Sequence, residues 1–278
     1  MPIDSAAWIG WAAAAGARAW DAFMPLVLIA TVLAGVATAA FGPGRQWWRG
    51  RANPPPDPAA LRHIGGRLAV GFVVVLATAS VFALVARLLG DGRTLQRADE
   101  AFSQAVAAPV PAGGMAALRQ LTHFGEPLVL IVLGVGIAVA LWVGGQRSLA
   151  AGWAAATGGN AVLNPALKQI FARARPLYEG LPSPAAGFSF PSGHSSGAMV
   201  AYGMLAYLAI RLLPPRWHIP AVMAATAIVL TTAFSRVFLQ VHFASDVLAG
   251  LCSGAAWLTV CIATCEYARH RRESRVSR

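Results

Sequence analysis

The chain alternates long apolar runs with short polar connections. Seven of these runs, with few charged residues, approach or exceed the length needed to cross a hydrocarbon core of about 30 Å. They fall at residues 22–41, 68–89, 127–144, 149–167, 195–213, 218–235 and 243–263. The pattern predicts an all-α, polytopic membrane protein, in which a six-span bundle follows one N-terminal transmembrane helix.

The breaks between the runs predict four parts. These are an N-terminal anchor helix with interfacial flanks at 1–50, a Pro- and Arg-rich cytoplasmic linker at 51–67, a six-span core at 68–263 and a basic cytoplasmic tail at 264–278. The linker follows from RANPPPDP at 51–58, because consecutive prolines remove backbone donors and favour extended geometry.

The 90–126 connection carries its own helical pattern. Leu95, Ala98, Phe102 and Val106 recur at spacings of three and four, with polar residues between them. This spacing predicts a short amphipathic helix, which lies either on the membrane surface or packed against the protein. Whether this connection or the 177–190 loop gates a site stays open.

Composition agrees with a membrane protein. Of 278 residues, 57% are hydrophobic and 12% are charged, against about 25% charged in soluble domains. Alternating the connections between two sides puts thirteen of the 22 basic residues on one side, together with the C-terminus. That side is cytoplasmic by the positive-inside bias. Most of the net charge of +11 therefore faces anionic lipid, and no nucleic-acid partner is expected.

Three polar clusters fall on the opposite, extracytoplasmic side. They are KQIFARARP at 168–176, PSGHSS at 191–196 and SRVFLQVHFASD at 235–246. Lys168, Arg175 and Arg236 supply three cations, and guanidinium groups match phosphate oxygens in pairs.

The second cluster adds backbone donors to these cations. Ser192 is a natural N-cap, and Gly193 lets an anion approach the N–H groups at the start of a helix. The clusters therefore indicate a binding site for a phosphate.

Two histidines complete a hydrolytic set. His242 and Asp246 are four residues apart, so on a helix they would share a face, and the carboxylate would fix one ring nitrogen of the imidazole. The other nitrogen would then be free to attack phosphorus. His194 comes from another span and could protonate the leaving oxygen and later activate water. This chemistry needs no metal and no cofactor.

Taken together, the clusters match the pattern K-x6-RP, PSGH and SR-x5-H-x3-D. The chain thereby resembles the type 2 phosphatidic acid phosphatase superfamily, in its membrane lipid phosphatase branch, over about 68–263. The matching residues are Lys168, Arg175 and Pro176; Pro191 to His194; and Ser235, Arg236, His242 and Asp246.

The resemblance implies a role for each matched residue. His242 would form a phosphohistidine intermediate, His194 would be the acid and base, and Asp246 would orient His242. The phosphate-binding residues would be Lys168, Arg175, Ser192, Gly193 and Arg236. Arg173 matches no position of the pattern, and we interpret it as a solvated or lipid-headgroup contact.

The motifs read phosphate rather than the lipid tail, so the substrate stays open. Undecaprenyl diphosphate is the first candidate, ahead of phosphatidylglycerophosphate, phosphatidic acid and phosphorylated lipid A. Transfer of the phosphoryl group to another lipid is also open, as is the oligomeric state. The expected setting is a bacterial inner membrane, with the site facing the exterior and membrane lipids as partners.

Three other classes compete with the phosphatase. A histidine and an aspartate at this spacing can ligate metal, but cations stand where acidic ligands would be needed. A lipid-binding or transport protein could retain the pocket without turnover. The soluble vanadium haloperoxidases of the same superfamily lack seven apolar spans.

Overall fold

The computed structural model describes residues 5–41, 59–90, 93–107, 110–176 and 187–276. Within them the chain forms nine α-helices and two short 3-10 turns, Thr122–Gly125 and Pro215–Trp217. The helices are α1 Ser5–Phe41, α2 Ala59–Gly90, α3 Thr94–Ala107, α4 Ala112–Leu121, α5 Pro127–Val143, α6 Arg147–Phe171, α7 Gly193–Leu212, α8 His218–Phe238 and α9 Ala244–Val276. The predicted all-α class is confirmed.

Five of the described helices are long and apolar enough to cross a membrane: α1, α2, α7, α8 and α9. The bent pair formed by α4, the turn after it and α5 makes a sixth, with a bend of 45°. Helix α6 forms where the fourth span was predicted, but it does not meet the same criterion. Its polar face explains this, because Asn160, Asn164 and Lys168 interrupt the apolar surface.

Two predicted boundaries differ from those of the helices. Helix α2 begins at Ala59, within the range predicted as linker, while RANPPPDP lies outside the described residues. Helix α9 continues through Val276, so most of the predicted basic tail prolongs the last span.

Helix α7 lies at the centre of the bundle, in contact with α6, α8 and α9. Trp153 of α6 and Met204 of α7 are fully buried in its main core. Glycines of α9 bring that helix close to α7: a Cβ at Gly250 would lie 2.5 Å from the Ser192 carbonyl oxygen. The close approach holds the starts of the two helices together.

Helix α1 packs along α3 and α8. Phe23 stacks edge-on against Phe238 of α8, and a Cβ at Gly16 would lie 2.5 Å from the Phe102 carbonyl oxygen of α3. On α3, Ala98 and Val106 are buried. Of the two alternatives for the amphipathic helix, the structure shows packing against the protein.

Candidate active site

One end of the bundle collects every residue of the three clusters that the sequence singled out. Lys168 lies in the last turn of α6, and Arg175 follows that helix. Gly193 and His194 begin α7, and Arg236 lies in the last turn of α8. His242 lies just before α9, and Asp246 lies in its first turn. These segments are far apart in sequence and meet only in the fold.

The imidazole of His242 is nearly fully buried and has partners on both ring nitrogens. Arg175 Nη1 lies 3.2 Å from Nε2. On the other side, Nδ1 lies 3.2 Å from Ser189 Oγ and 3.4 Å from Asp246 Oδ2. A guanidinium can only donate, so Nε2 is the acceptor and Nδ1 carries the proton. The lone pair on Nε2 is thus directed at the cations.

The pairing of His242 with Asp246 does not arise as the sequence analysis assumed. His242 lies before α9, not on its face, and that helix begins at Ala244. Asp246 Oδ2 instead accepts from the Phe243 backbone N–H at 2.9 Å. This is one half of a capping box, in which a third-position carboxylate closes the helix start. The helix cap therefore fixes the carboxylate beside the imidazole.

Two of the predicted phosphate ligands are tethered to carbonyl groups of the chain. Lys168 Nζ donates to the Phe188 carbonyl oxygen at 2.6 Å. Arg175 donates through Nε to the Gly187 carbonyl at 3.1 Å and through Nη1 to the Val241 carbonyl at 2.9 Å. The left-handed backbone of Ala172, with φ of 44°, ends α6 and turns the chain toward the site.

Arg236 is the most buried cation of the set, with 9% of its surface exposed. Its Nη1 donates to Thr122 Oγ1 at 2.8 Å, which ties it to the turn before α5. Its Nε is buried and has no hydrogen-bond partner among the described residues. A buried guanidinium with a spare donor suits an oxyanion.

The start of α7 has the geometry predicted for an anion site. Ser192 is the N-cap, and its Oγ accepts from the Ser195 backbone N–H at 3.4 Å. A Cβ at Gly193 would lie 3.0 Å from Asn164 Oδ1 and 3.9 Å from Lys168 Cε. The lack of a side chain at Gly193 therefore keeps the helix start open beside Lys168.

His194, also at the start of α7, faces the turn before α5. A Cβ at Gly125 would lie 3.0 Å from its Cδ2 atom. The positive charges of Arg236, Arg175 and Lys168 all disfavour a positive charge on its imidazole. His123 and Glu126 pair nearby through Nδ1 and Oε1 at 2.8 Å, and both are exposed.

Burial dominates the electrostatics of the site. It lowers the pKa of His242 to about 4, and the charges of Arg175 and Arg236 act in the same direction while Asp246 opposes them. Burial also lowers the pKa of Arg175. At neutral pH the imidazole of His242 is uncharged, which is the form that can act as a nucleophile.

Arg173 is not the solvated contact that the sequence suggested. Its Nη1 donates to Asp246 Oδ1 at 2.7 Å, its Nη2 donates to Asp99 Oδ2 at 2.9 Å, and its guanidinium lies over the Phe243 ring. The interpretation was wrong because the partners come from α3 and α9, 73 and 74 residues away. Local sequence carries no signal for such a contact.

Ser189 also escaped the sequence analysis. It is fully buried, and its Oγ donates to Asp246 Oδ2 at 2.5 Å. It belongs to the 177–190 loop, of which residues 177–186 lie outside the described residues. Phe190, the next residue of this loop, is fully buried against Phe82 and Phe171.

A cavity of about 620 Å³ opens beside the site, between α3 and the segment after α6. Helix α3 supplies its polar wall, and Arg175 belongs to both the cavity and the site. The lining residues are Gln96, Glu100, Gln104, Arg173, Ala174, Arg175, Pro176 and Phe243. The predicted amphipathic helix thus borders an approach to Arg175.

The donor set suits an anion. Within the ranges that the structure describes, no group of three or more His, Cys, Asp or Glu side chains could hold a metal ion. Asp246 is engaged by Arg173, Ser189 and the Phe243 backbone. The other groups at the site are the cations Lys168, Arg175 and Arg236 and the N-terminus of α7, which is the chemistry of a phosphate site.

Comparison with known proteins finds relatives of this chain. Residues 147–270 match the model of the PAP2 superfamily. Phosphatidylglycerophosphatase B of Bacillus subtilis (strain 168) is 32% identical over 168 residues, which are 58% of this chain and 79% of that protein.

A solved structure gives the same result. The crystal structure of a transmembrane PAP2-type phosphatidylglycerolphosphate phosphatase from Bacillus subtilis superposes with a TM-score of 0.62 at 28% identity. The match covers 69% of this chain and 96% of that one. The region that matches the superfamily model contains all three motif blocks.

Proposed function

The chain belongs to the PAP2 superfamily, and from that premise we propose that it is a membrane enzyme that hydrolyses lipid phosphates through a phosphohistidine on His242. The arrangement around His242 carries this proposal. Its Nε2 lone pair is directed at Arg175, while Asp246 and Ser189 hold the opposite nitrogen. A neutral, oriented imidazole beside a set of cations is what in-line attack on a phosphate requires.

In the first step, Nε2 of His242 attacks phosphorus, and the bond from phosphorus to the lipid oxygen breaks. His194, which can carry a proton once the negative phosphate offsets the cations around it, donates that proton to the departing oxygen and becomes neutral. The lipid leaves as an alcohol or, from a diphosphate, as a monophosphate. Lys168, Arg175, Arg236 and the N–H groups at the start of α7 stabilise the charge on the equatorial oxygens. Asp246 stabilises the positive charge that develops on the imidazole.

In the second step, water replaces the lipid. His194, now neutral, takes a proton from the water, whose oxygen attacks phosphorus. The bond from phosphorus to Nε2 breaks, inorganic phosphate leaves and His242 returns to its neutral form. The protein groups that act on phosphate are cations and N–H donors, and no step uses a metal ion.

The substrate is a lipid phosphate or diphosphate. The named relatives favour phosphatidylglycerophosphate as the first substrate to test, which places it ahead of the undecaprenyl diphosphate preferred from the sequence. Both remain candidates, because the groups proposed to bind phosphate do not distinguish one lipid tail from another. Phosphatidic acid and lipid A phosphates complete the panel.

The site is proposed to face the exterior of a bacterial inner membrane. Arginines lie at the opposite helix ends, at the start of α6, the end of α7 and the end of α9. Positive charge at that end favours the cytoplasm. A substrate would therefore approach from the outer leaflet.

The test is phosphate release by the purified protein in detergent, from this lipid panel and with EDTA present. We expect turnover by the wild type and none by His242→Ala, because the variant lacks the nucleophile. His242→Ala should still bind lipid phosphate, since Lys168, Arg175 and Arg236 remain.

His63→Ala is the control for loss of a histidine outside the site. Turnover by His242→Ala at the wild-type rate would reject the phosphohistidine scheme. Loss of turnover in EDTA, restored by zinc, would replace it with a metal-dependent one. Binding of lipid phosphate without turnover by the wild type would instead indicate a transport or binding protein.

A further inference from the structure

A buried chain of charges runs from Asp246 away from the phosphate site. Arg173 joins the carboxylates of Asp246 and Asp99, at 2.7 and 2.9 Å. Ser245 lies between them: its Oγ accepts from Arg173 Nη1 at 2.7 Å and donates to Asp99 Oδ2 in a very short hydrogen bond. The Asp246 and Asp99 side chains are 0% and 5% exposed.

The far end of this chain of charges belongs to α3. Asp99 also accepts from the Ser245 backbone N–H at 3.3 Å, so it holds the first turn of α9 from outside. Residue 99 lies outside the 147–270 range that matches the superfamily model. Burial raises the pKa of Asp99, against the lowering effect of Arg173 and Ser245.

The charges of Asp99, Arg173 and Asp246 indicate what Asp99 contributes. Arg173 alone would neutralise Asp246 and weaken its hold on a positive imidazole. With Asp99 sharing the guanidinium, the three groups carry a net charge of −1. Because the site is buried, that charge acts on the imidazole with little screening by solvent.

We propose that Asp99 is a positioning residue for the reaction: through Arg173 and Ser245 it keeps Asp246 oriented and offsets the charge of Arg173, so that Asp246 stabilises the positive charge on His242 during phosphoryl transfer. This inference rests on the proposed function. Asp99 itself does not contact phosphate. Its removal should therefore affect the covalent step and leave the binding of phosphate unchanged.

The experiment compares Asp99→Asn with Asp21→Asn, the same change at an exposed position of α1. We expect Asp99→Asn to lower kcat about tenfold with KM unchanged, by analogy with the effect of removing an outer partner of a metal-bound imidazole. Inhibition by inorganic phosphate should be unchanged. Inhibition by vanadate, which bonds to Nε2 as a mimic of five-coordinate phosphorus, should weaken about tenfold.

A double variant separates positioning from general packing. In an Arg173→Gln background, adding Asp99→Asn should cause a smaller loss of kcat than it does in the wild type, because one of the two routes from Asp99 to Asp246 is already lost. Ser245→Ala provides a second route if Asp99→Asn does not fold. It should reduce kcat and vanadate inhibition in the same direction, at an unchanged KM.

Three results would overturn the proposal: wild-type kcat in Asp99→Asn, an equal loss in Asp21→Asn, or an additive loss in the double variant. Failure of the proposed function looks different. If the wild type releases no phosphate from any lipid but calorimetry shows vanadate binding that depends on Asp99, the function is rejected and the positioning role stands.

Discussion

The tautomer of His242 follows from the chemistry of the groups around it. Arg175 can only donate and Asp246 can only accept, so the imidazole carries its proton on Nδ1. A low pKa keeps Nε2 unprotonated, and burial and the neighbouring guanidinium groups both lower it. The residues that bind phosphate thus also set the charge state of the nucleophile.

This dual role predicts a change in the pH profile of Arg175→Gln. Protonation removes the lone pair of Nε2, so in the wild type kcat/KM should fall only as the pH drops toward the His242 pKa of about 4. Removing the Arg175 charge raises that pKa, and the acid limb should move to higher pH. The remaining kcat/KM should be lower by about a hundredfold, since a donor to the transition state is lost.

Lys168→Gln is the matched control for this profile. It also removes one of the proposed phosphate-binding cations, but Lys168 Nζ is bonded to the Phe188 carbonyl and not to the imidazole. Its kcat/KM should fall while the acid limb shifts less than in Arg175→Gln. An unmoved limb in Arg175→Gln would mean that the charge of Arg175 does not influence the pKa of His242.

Some residues of the site could be found from the sequence, and others only from the structure. Lys168, Arg175, Gly193 and His242 stand in short motifs whose spacing already indicates phosphate chemistry, and the structure brings them to one end of the bundle. Asp99 and Ser189 stand in no such motif. Their contacts with Arg173 and Asp246 span 74 and 57 residues, and only the packing of the helices creates them.

At the scale of elements, the site depends on the contact between the starts of α7 and α9. The Ser192 backbone N–H donates to the Asp246 carbonyl at 2.9 Å, so the N-cap of one helix is bonded to the first turn of the other. Gly250 makes this approach possible, because a side chain there would meet the Ser192 carbonyl at 2.5 Å.

We therefore expect Gly250→Ala to damage both stability and activity. The new methyl group would push against backbone, which cannot rotate away, and overpacking of this kind costs about 1–3 kcal/mol. Separation of α7 from α9 would also displace Ser192 and Asp246. Thermal unfolding in detergent and kcat/KM for phosphate release measure the two effects.

Gly158→Ala tests whether a glycine in a helix is sensitive in itself. Gly158 is exposed on α6, and a methyl group added there would meet no other atom within 4 Å. Alanine is favoured over glycine in helices by about 1 kcal/mol, so this variant should be as active and at least as stable as the wild type. Equal behaviour of the two variants would refute the close-contact explanation.

Helices were predictable from apolar length, but their ends and their packing were not. The run at 243–263 marks a span, yet α9 continues to Val276, because charged residues such as Arg269 and Arg271 favour helix as well as many apolar residues do. Amphipathic spacing located α3 but could not decide between a membrane surface and a protein surface. Both surfaces bury an apolar helix face, so both select the same spacing.

At the scale of the whole molecule, the N-terminal part is structurally continuous with the site. Helix α1 packs on α3, and α3 holds Asp99 against Arg173. The apolar run of α1 predicted a span, but nothing in that run indicates its partner. The region that matches the superfamily model begins only at residue 147, so this support comes from the rest of the chain.

This continuity predicts that a change in α1 reaches the active site. A Cβ at Gly16 would lie 2.5 Å from the Phe102 carbonyl oxygen, one turn along α3 from Asp99. We expect Gly16→Ala to push α3 outward, to reduce stability by about 1–3 kcal/mol and to lower kcat in the direction of Asp99→Asn, at an unchanged KM. Thermal unfolding and steady-state phosphate release measure both effects.

The control lies on the same helix. Gly10 is exposed and has nothing within 4 Å of the position of an added Cβ, so Gly10→Ala changes composition in the same way without reaching α3. If Gly16→Ala lowers stability while kcat stays at the Gly10→Ala value, α1 supports the fold but does not influence catalysis. If both measurements match the control, the packing of α1 on α3 is not tight enough to transmit a displacement. A fall in kcat in Gly16→Ala alone would tie the first helix of the chain to the charge on His242.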